Sequence, residues 1–210
     1  MYTLYWGPNS AALAPQILLE EIGAAHELKR IDIASNQHKT PEYLKFNPNA
    51  KIPTLVIDGK QTIFESAAIC LYLAERHPEA RLAPAVGEPA RGLYYQWLVH
   101  LTNTLQPAYL SYYYPDRFTD DAKGTDAVQS RAKTELGEIW GRIDKALGEK
   151  GPYFLGDRFS GCDAFLFMLA NWREPVPDLY SRFKHVKRCA DAVRARPAVQ
   201  RILPANGIAA

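Results

Sequence analysis

The sequence predicts an α/β domain built on a mixed four-stranded sheet, in the order βαβαββα, followed by an all-helical domain. Up to about residue 79, short runs of alternating apolar and polar residues are interleaved with runs at helical spacing. Beyond residue 88 every periodic segment is helical. Within the first part, an opening strand–helix–strand demands a parallel crossover, whereas Asp58-Gly59 marks an antiparallel hairpin. The sheet must therefore be mixed. The expected boundaries are 1–79 for the sheet domain, 80–88 for a linker and 89–210 for the helical domain.

Thr3 to Trp6 is a short aromatic strand, and Gly7-Pro8-Asn9 is a turn. Ser10 to Ile22 reads as a helix, with Leu13, Ile17 and Ile22 broadly on one side and Gly23 as its stop. Leu28 to Ile33 alternates as a half-buried strand does, and Pro41 to Phe46 suggests a short helix before the Asn47-Pro48 break. Pro53 cannot donate a ladder hydrogen bond, so it fits at the first position of a strand. Asp58-Gly59 then supplies the positive φ of a tight turn into a second strand. Ser66 sits where an N-cap belongs, ahead of Ile69, Tyr72 and Leu73 at helical spacing. The first amides of that helix favour a carboxylate. A backbone edge beside Pro53 and an anion hole at Ser66 would together hold a small peptide.

Pro78, Pro84, Gly87 and Pro89, among few apolar residues, read as the linker. Leu93, Trp97, Leu98, Leu101 and Leu105 form one helical stripe, and Leu136, Ile139, Trp140, Ile143 and Leu147 a stronger one. Phe183, Val186, Ala190 and Val193 form another. Ser160-Gly161-Cys162-Asp163 is a capping motif ahead of Phe165 to Leu169, a run so apolar that it should cross the middle of its domain. Ser160 and Asp163 are assigned no chemistry. Pro197 fits the first turn of a last helix, which Pro204 and Gly207 close.

With 210 residues, 47% of them apolar, the chain can bury a core without metals or staples. Its net charge of +2 comes from interspersed signs, and no basic stripe could track a phosphate backbone, so nucleic acid is not an expected partner. Cys70, Cys162 and Cys189 are far apart and show neither metal-ligand nor Cys-x-x-Cys spacing. They fit a reducing, cytoplasmic home. The N-terminus lacks the basic start of a signal peptide, and no apolar run approaches membrane-spanning length.

The Ile52-Pro53 and Glu65-Ser66 pairs lie at the spacing seen in soluble glutathione S-transferases, and the chain resembles that family over essentially its whole length. The thioredoxin-like order of the first domain agrees. The resemblance implies a cis Pro53, backbone groups of Ile52 on the cysteinyl part of glutathione, Ser66 on the γ-glutamyl carboxylate and Glu65 on its ammonium. His38 precedes Pro41-Glu42-Tyr43-Leu44-Lys45 as a histidine does in delta-like members, where it contacts the glycyl carboxylate. Lys51 flanks the same end. A loop histidine is also an ordinary solvent-facing residue, and both readings stand.

Such an enzyme must favour the thiolate. Lowering a thiol pKa by about two units takes roughly 2.7 kcal/mol. A hydrogen bond to a charged group contributes about 1.5–3 kcal/mol and a helix N-terminus roughly 0.3–1, so one hydroxyl near a helix start supplies most of it. In serine-type members, such as the theta and delta classes, that hydroxyl sits two residues after a proline, which here is Ser10 after Pro8. The bacterial beta class is similar through Leu13-Ala14-Pro15 but carries a cysteine one position later, where this chain has Ala11. That difference argues against a mixed-disulfide mechanism. Ser10 can equally be a plain helix cap, and Tyr5 is the alternative activator, although its register fits packing better. Tyr109, Tyr112, Tyr113 and Tyr114, with Arg117 nearby, cluster toward the end of the first long helix of the second domain. Tyr109, Tyr113 and Arg117 are the expected lining of a pocket for a small hydrophobic electrophile, with some of the tyrosines left to the core. The resemblance further implies a homodimer, glutathione as co-substrate and no metal. A non-catalytic glutathione-binding relative and a glutathione-dependent peroxidase or isomerase are the competing readings.

Overall fold

Strand β1 (Tyr2–Trp6) pairs in parallel with β2 (His26–Arg30) on one side and antiparallel with β3 (Thr54–Ile57) on the other, and β4 (Gln61–Phe64) closes the sheet in the order β2-β1-β3-β4. The computed structural model describes residues 1–172 and 174–209. Leu4 of β1 faces Leu28 and Leu55 across its two ladders, and both Leu4 and Leu55 are fully buried. β2 begins two residues earlier than its alternation suggests, because β1 starts at Tyr2 and pairs it with His26. Asp58 and Gly59 both take positive φ, 51° and 67°, as the expected hairpin turn requires.

Helix α1 (Leu13–Ile22) packs against α3 (Ser66–Arg76), and α2 (Pro41–Leu44) follows a 3-10 turn at Gln37–Lys39. Ser10 was an expected start for α1, but the helix opens three residues later. Pro15 explains the delay. Its missing N–H is tolerated only in the first turn, and a start at Ser10 would place it inside the hydrogen-bonded ladder.

Past the 3-10 turn Pro78–Ala80, α4 (Ala90–His100) runs through a π-helical turn, Leu101–Leu105, into α5 (Gln106–Tyr113). Pro107 lies just beyond that turn and cannot donate to the carbonyl of Asn103, so the wider turn absorbs the mismatch. Tyr94, Leu98, Leu101 and Leu105 are its buried stripe, whereas Leu93, expected inside, is 39% exposed. Helix α6 (Thr125–Lys150) buries all five expected stripe residues from Leu136 to Leu147. Helix α7 (Gly161–Ala170) is buried at every position, as its all-round apolarity predicts, and the Ser160–Asp163 capping box opens it. The short α8 (Leu179–Arg182) and then α9 (Lys184–Arg194) follow, with Val186, Ala190 and Val193 buried.

The chain divides into two compact units, Met1–Val86 with the chain from Arg194 onward, and Gly87–Val193. The expected boundaries put all of 89–210 in the helical domain. The terminal segment instead belongs with the sheet, because α10 (Pro197–Ile202) packs on α1. Arg196 makes a two-point ion pair with Glu21, at 2.6 and 2.8 Å, and Arg201 reaches Glu20 at 2.9 Å. The buried Asn206 amide donates to Gln16 at 2.9 Å.

Candidate functional site

Three segments of the first unit converge: the turn from β1 to α1, the lead into β3, and the start of α3. Gly7 permits the first approach, since a Cβ there would meet Ile52 Cδ1 at 3.0 Å. The second contact follows from Pro15. With no N–H on Pro15, the carbonyl of Ala11 has no helical donor, and the Ser66 hydroxyl supplies one at 2.6 Å. A proline four residues on from an orphan carbonyl was the readable signal for this tie, but nothing in the local pattern named its partner.

Ser10 sits in that turn. Its hydroxyl donates to the Gly7 carbonyl at 2.6 Å and accepts the Ala12 amide at 3.2 Å. It is not the N-cap of α1, a position held by Ala12. To donate to a thiolate, Ser10 must swing off the Gly7 carbonyl while the Ala12 amide still orients it.

The Ile52-Pro53 bond is cis. The carbonyl of the preceding Lys51 accepts from Tyr43 Oη at 2.6 Å and Asn47 Nδ2 at 2.8 Å, and Tyr43 also meets Thr54 Oγ1 at 2.9 Å. Sequence reasoning missed Tyr43 and Asn47, the two residues that hold the lead into β3. Both are buried, and buried polar groups without solvent must find such partners.

Glu65, not Ser66, is the N-cap of α3, and the Ile69 amide bonds to its carbonyl at 3.0 Å. Ser66 was expected there, but its side chain is directed to Ala11 and it becomes the first helical residue. No side chain caps α3, so the amides of its first turn face outward for an anion. Glu65 is exposed and takes φ 72°, ψ 110°, a conformation rare for a residue with a side chain and concentrated at ligand sites.

His38 lies in the 3-10 turn before α2, its Nδ1 buried without a hydrogen-bond partner, and burial together with Lys39 lowers its pKa. The Lys51 side chain is exposed. Tyr5 is packing, as its register suggested: its ring stacks on Phe46 at 5.0 Å, meets Tyr43 edge-on, and carries Lys29 over one face.

In the helical unit the tyrosine cluster divides. Tyr109 is fully buried and accepts the Trp140 indole N–H at 3.1 Å, so it belongs to the core and not to a pocket wall. Tyr113 is 37% exposed, donates to the Trp172 carbonyl at 3.0 Å, and has its phenol pushed up to about 12, first by burial and then by the charge of Glu174. Arg117 lies 3.9 Å over the Tyr114 ring and is exposed. The three cysteines are buried thiols, and burial raises the pKa of Cys70 and Cys189.

Residues 1–75 match the family model "Glutathione S-transferase, N-terminal domain", and residues 103–203 match "Glutathione S-transferase, C-terminal domain". Glutathione S-transferase 1 of Dianthus caryophyllus is 34% identical over 163 residues, covering 75% of this chain and 70% of that protein. The chain belongs to the glutathione S-transferase family. The transferase GstA of Escherichia coli O157:H7 is 26% identical over 206 residues, covering 98% of each chain. A sphingomonad glutathione S-transferase solved in complex with glutathione superposes with a TM-score of 0.83 at 28% identity, covering 99% of this transferase and 100% of the other. The thioredoxin-like sheet domain and helical region are thus those of the family. Among the described residues no group of three or more His, Cys, Asp or Glu could hold a metal ion, and no helix is long and apolar enough to cross a membrane.

Proposed function

We propose that this transferase binds glutathione across the Gly7–Ala12 turn, Ile52 and the start of α3, and joins its sulfur to a small hydrophobic electrophile. One observation carries the reading: the turn bearing Ser10 touches both Ile52 and Ser66, so a hydroxyl, a backbone edge and an uncapped helix N-terminus lie within reach of one tripeptide. The α3 amides hold the γ-glutamyl carboxylate, joined by the Ser66 hydroxyl once it swings off the Ala11 carbonyl, while Glu65 holds the ammonium and Ile52 the cysteinyl backbone, with Pro53 fixing the edge. His38 and Lys51 lie toward the glycyl end. Ser10 donates to the sulfur and favours its ionised form. The thiolate then attacks the electrophilic carbon, a carbon–sulfur bond forms, and the leaving group departs with the electron pair of the broken bond. Aryl halides, epoxides, activated alkenes and aryl ethers all suit that step. Tyr113 and Arg117 are the remaining candidates for the electrophile's side, Tyr109 having gone to the core. A homodimer acting in the cytoplasm in detoxification completes the reading.

Turnover of 1-chloro-2,4-dinitrobenzene with glutathione, alongside calorimetric titration of glutathione, tests it. Absence of glutathione binding would overturn it. Ser66→Ala with Glu65→Gln should weaken binding about tenfold to a hundredfold, from loss of charge-assisted hydrogen bonds of about 1.5–3 kcal/mol. The same pair should lower the melting temperature by only a few degrees, since Ala11 also loses its donor. Undiminished affinity would place the carboxylate elsewhere. A second reading is glutathione binding without turnover. It draws on the Ser10 hydroxyl being already engaged by Gly7, and binding without product would favour it.

A further inference from the structure

The peptide unit joining Lys51 to Ile52 is tied down at one end and open at the other. Among the described residues, neither the N–H nor the carbonyl of Ile52 has a hydrogen-bond partner within the chain. The carbonyl of Lys51, by contrast, accepts two buried donors, Tyr43 Oη at 2.6 Å and Asn47 Nδ2 at 2.8 Å. Among the described residues the only cis bond is that of Ile52-Pro53, so the Lys51-Ile52 unit is trans. A trans peptide unit is planar, and its C=O and N–H point in opposite directions. Whatever holds the Lys51 carbonyl therefore sets the direction of the Ile52 N–H.

Tyr43 holds it from a rigid seat. The residue is 3% exposed, and its ring meets Tyr5 edge-on at 5.6 Å. Its amide bonds to Thr40 Oγ1 at the cap of the short α2. The phenol has one proton to give, and Lys51 takes it. At 2.9 Å from Thr54 Oγ1, the same oxygen then accepts the Thr54 hydroxyl. Thr54 is fully buried in β3, paired with Tyr5 on one side and Phe64 on the other. A chain of hydrogen bonds thus runs from the sheet through Tyr43 to the Lys51 carbonyl, linking the two residues that flank Ile52-Pro53. Each bond in such a chain polarises the next.

We propose, on the glutathione reading above, that Tyr43 is a positioning residue: its hydroxyl aims the Ile52 N–H at the cysteinyl carbonyl of the tripeptide. A donor already aimed before the ligand arrives leaves less to be ordered on binding. A phenylalanine would fill the same space and keep the contact with Tyr5. It would leave Asn47 as the one side chain on the carbonyl, and the peptide unit could tilt.

Calorimetric titration of Tyr43→Phe with two ligands tests this. One is S-methylglutathione, and the other is its analogue with a trans alkene in place of the cysteinyl–glycyl amide, which has no cysteinyl carbonyl. Tyr43→Phe should bind S-methylglutathione about three- to tenfold more weakly, the contribution of one neutral hydrogen bond, and the analogue less than twofold more weakly. A merely structural loss would weaken both ligands alike. In the ligand-free protein, the Ile52 amide order parameter should be near the rigid value of about 0.85 and should fall in Tyr43→Phe. Equal losses for the two ligands, no loss for either, or an unchanged Ile52 order parameter would overturn the positioning role and leave the glutathione site standing. A wild-type protein that binds neither ligand would overturn the glutathione reading itself.

Discussion

Ser10→Ala should lower turnover at neutral pH on the order of ten- to a hundredfold, the equivalent of losing one charge-assisted hydrogen bond of about 1.5–3 kcal/mol. The affinity for glutathione should change little, because the γ-glutamyl and glycyl ends hold the peptide. The thiol of bound glutathione should titrate at higher pH in the variant, so raising the pH should recover part of the lost rate. These readouts matter because Ser10 has a second task in the resting protein. Its hydroxyl bridges the Gly7 carbonyl and the Ala12 amide, and Ser10→Ala removes both bonds. If turn geometry were its whole contribution, the variant would lose melting temperature and affinity while keeping the wild-type pH profile. Ser10→Thr retains the hydroxyl and should keep that profile. A rate and profile unchanged in Ser10→Ala would leave Ser10 a turn residue and activation to a backbone amide or to nothing.

The parts of this site that were legible in the sequence are those where punctuation residues act locally. Pro53, Asp58-Gly59 and Glu65-Ser66 each constrain their own backbone, so the hairpin and the start of α3 fall within a residue of where they were expected. What escaped the local pattern is long-range. The Ser66 hydroxyl finds Ala11 across 55 positions, and its partner is chosen by folding together two elements whose sequences do not mention each other. The same holds for the terminal segment, where Arg196 meets Glu21 across 175 positions and draws α10 onto α1. Tyr109 was misplaced for a different reason. In α5 the tyrosines at 109, 112 and 113 share one helix face at the spacing i, i+3 and i+4, so period cannot separate a core tyrosine from an exposed one. Depth was decided by Trp140, whose indole needs a buried acceptor. Glu65 shows the converse. A glutamate at positive φ contradicts local preference, and such conflicts concentrate where binding geometry outranks propensity.

Asp163→Ala should be the most destabilising single change in the helical unit. The carboxylate is completely buried and accepts the Phe154 amide at 2.9 Å, the Ser160 amide at 2.8 Å and the Ser160 hydroxyl at 2.8 Å. Removing it strands two buried amides, each costing about 1–3 kcal/mol, for a loss on the order of 3–5 kcal/mol. At this chain length that corresponds to a fall of roughly 10 °C in melting temperature, measurable by circular dichroism. Asp163→Asn should not rescue it fully, because the amide nitrogen would face a backbone N–H where the carboxylate oxygen now accepts one. The pH dependence gives a second handle. Burial pushes the Asp163 carboxyl up to about 6 from an ordinary 3.8, against the pull of the Phe154 and Ser160 donors. The folded state thus holds its proton more tightly than the unfolded chain. The contribution is fully present below pH 4, declines as the pH rises toward 6, and is lost above that by about 3 kcal/mol, from 1.36 kcal/mol per unit. Asp163→Asn cannot ionise, so this decline should be missing from its stability curve. A melting temperature of Asp163→Ala within two or three degrees of wild type would show that the carboxylate does not anchor α7, and that water reaches the stranded amides.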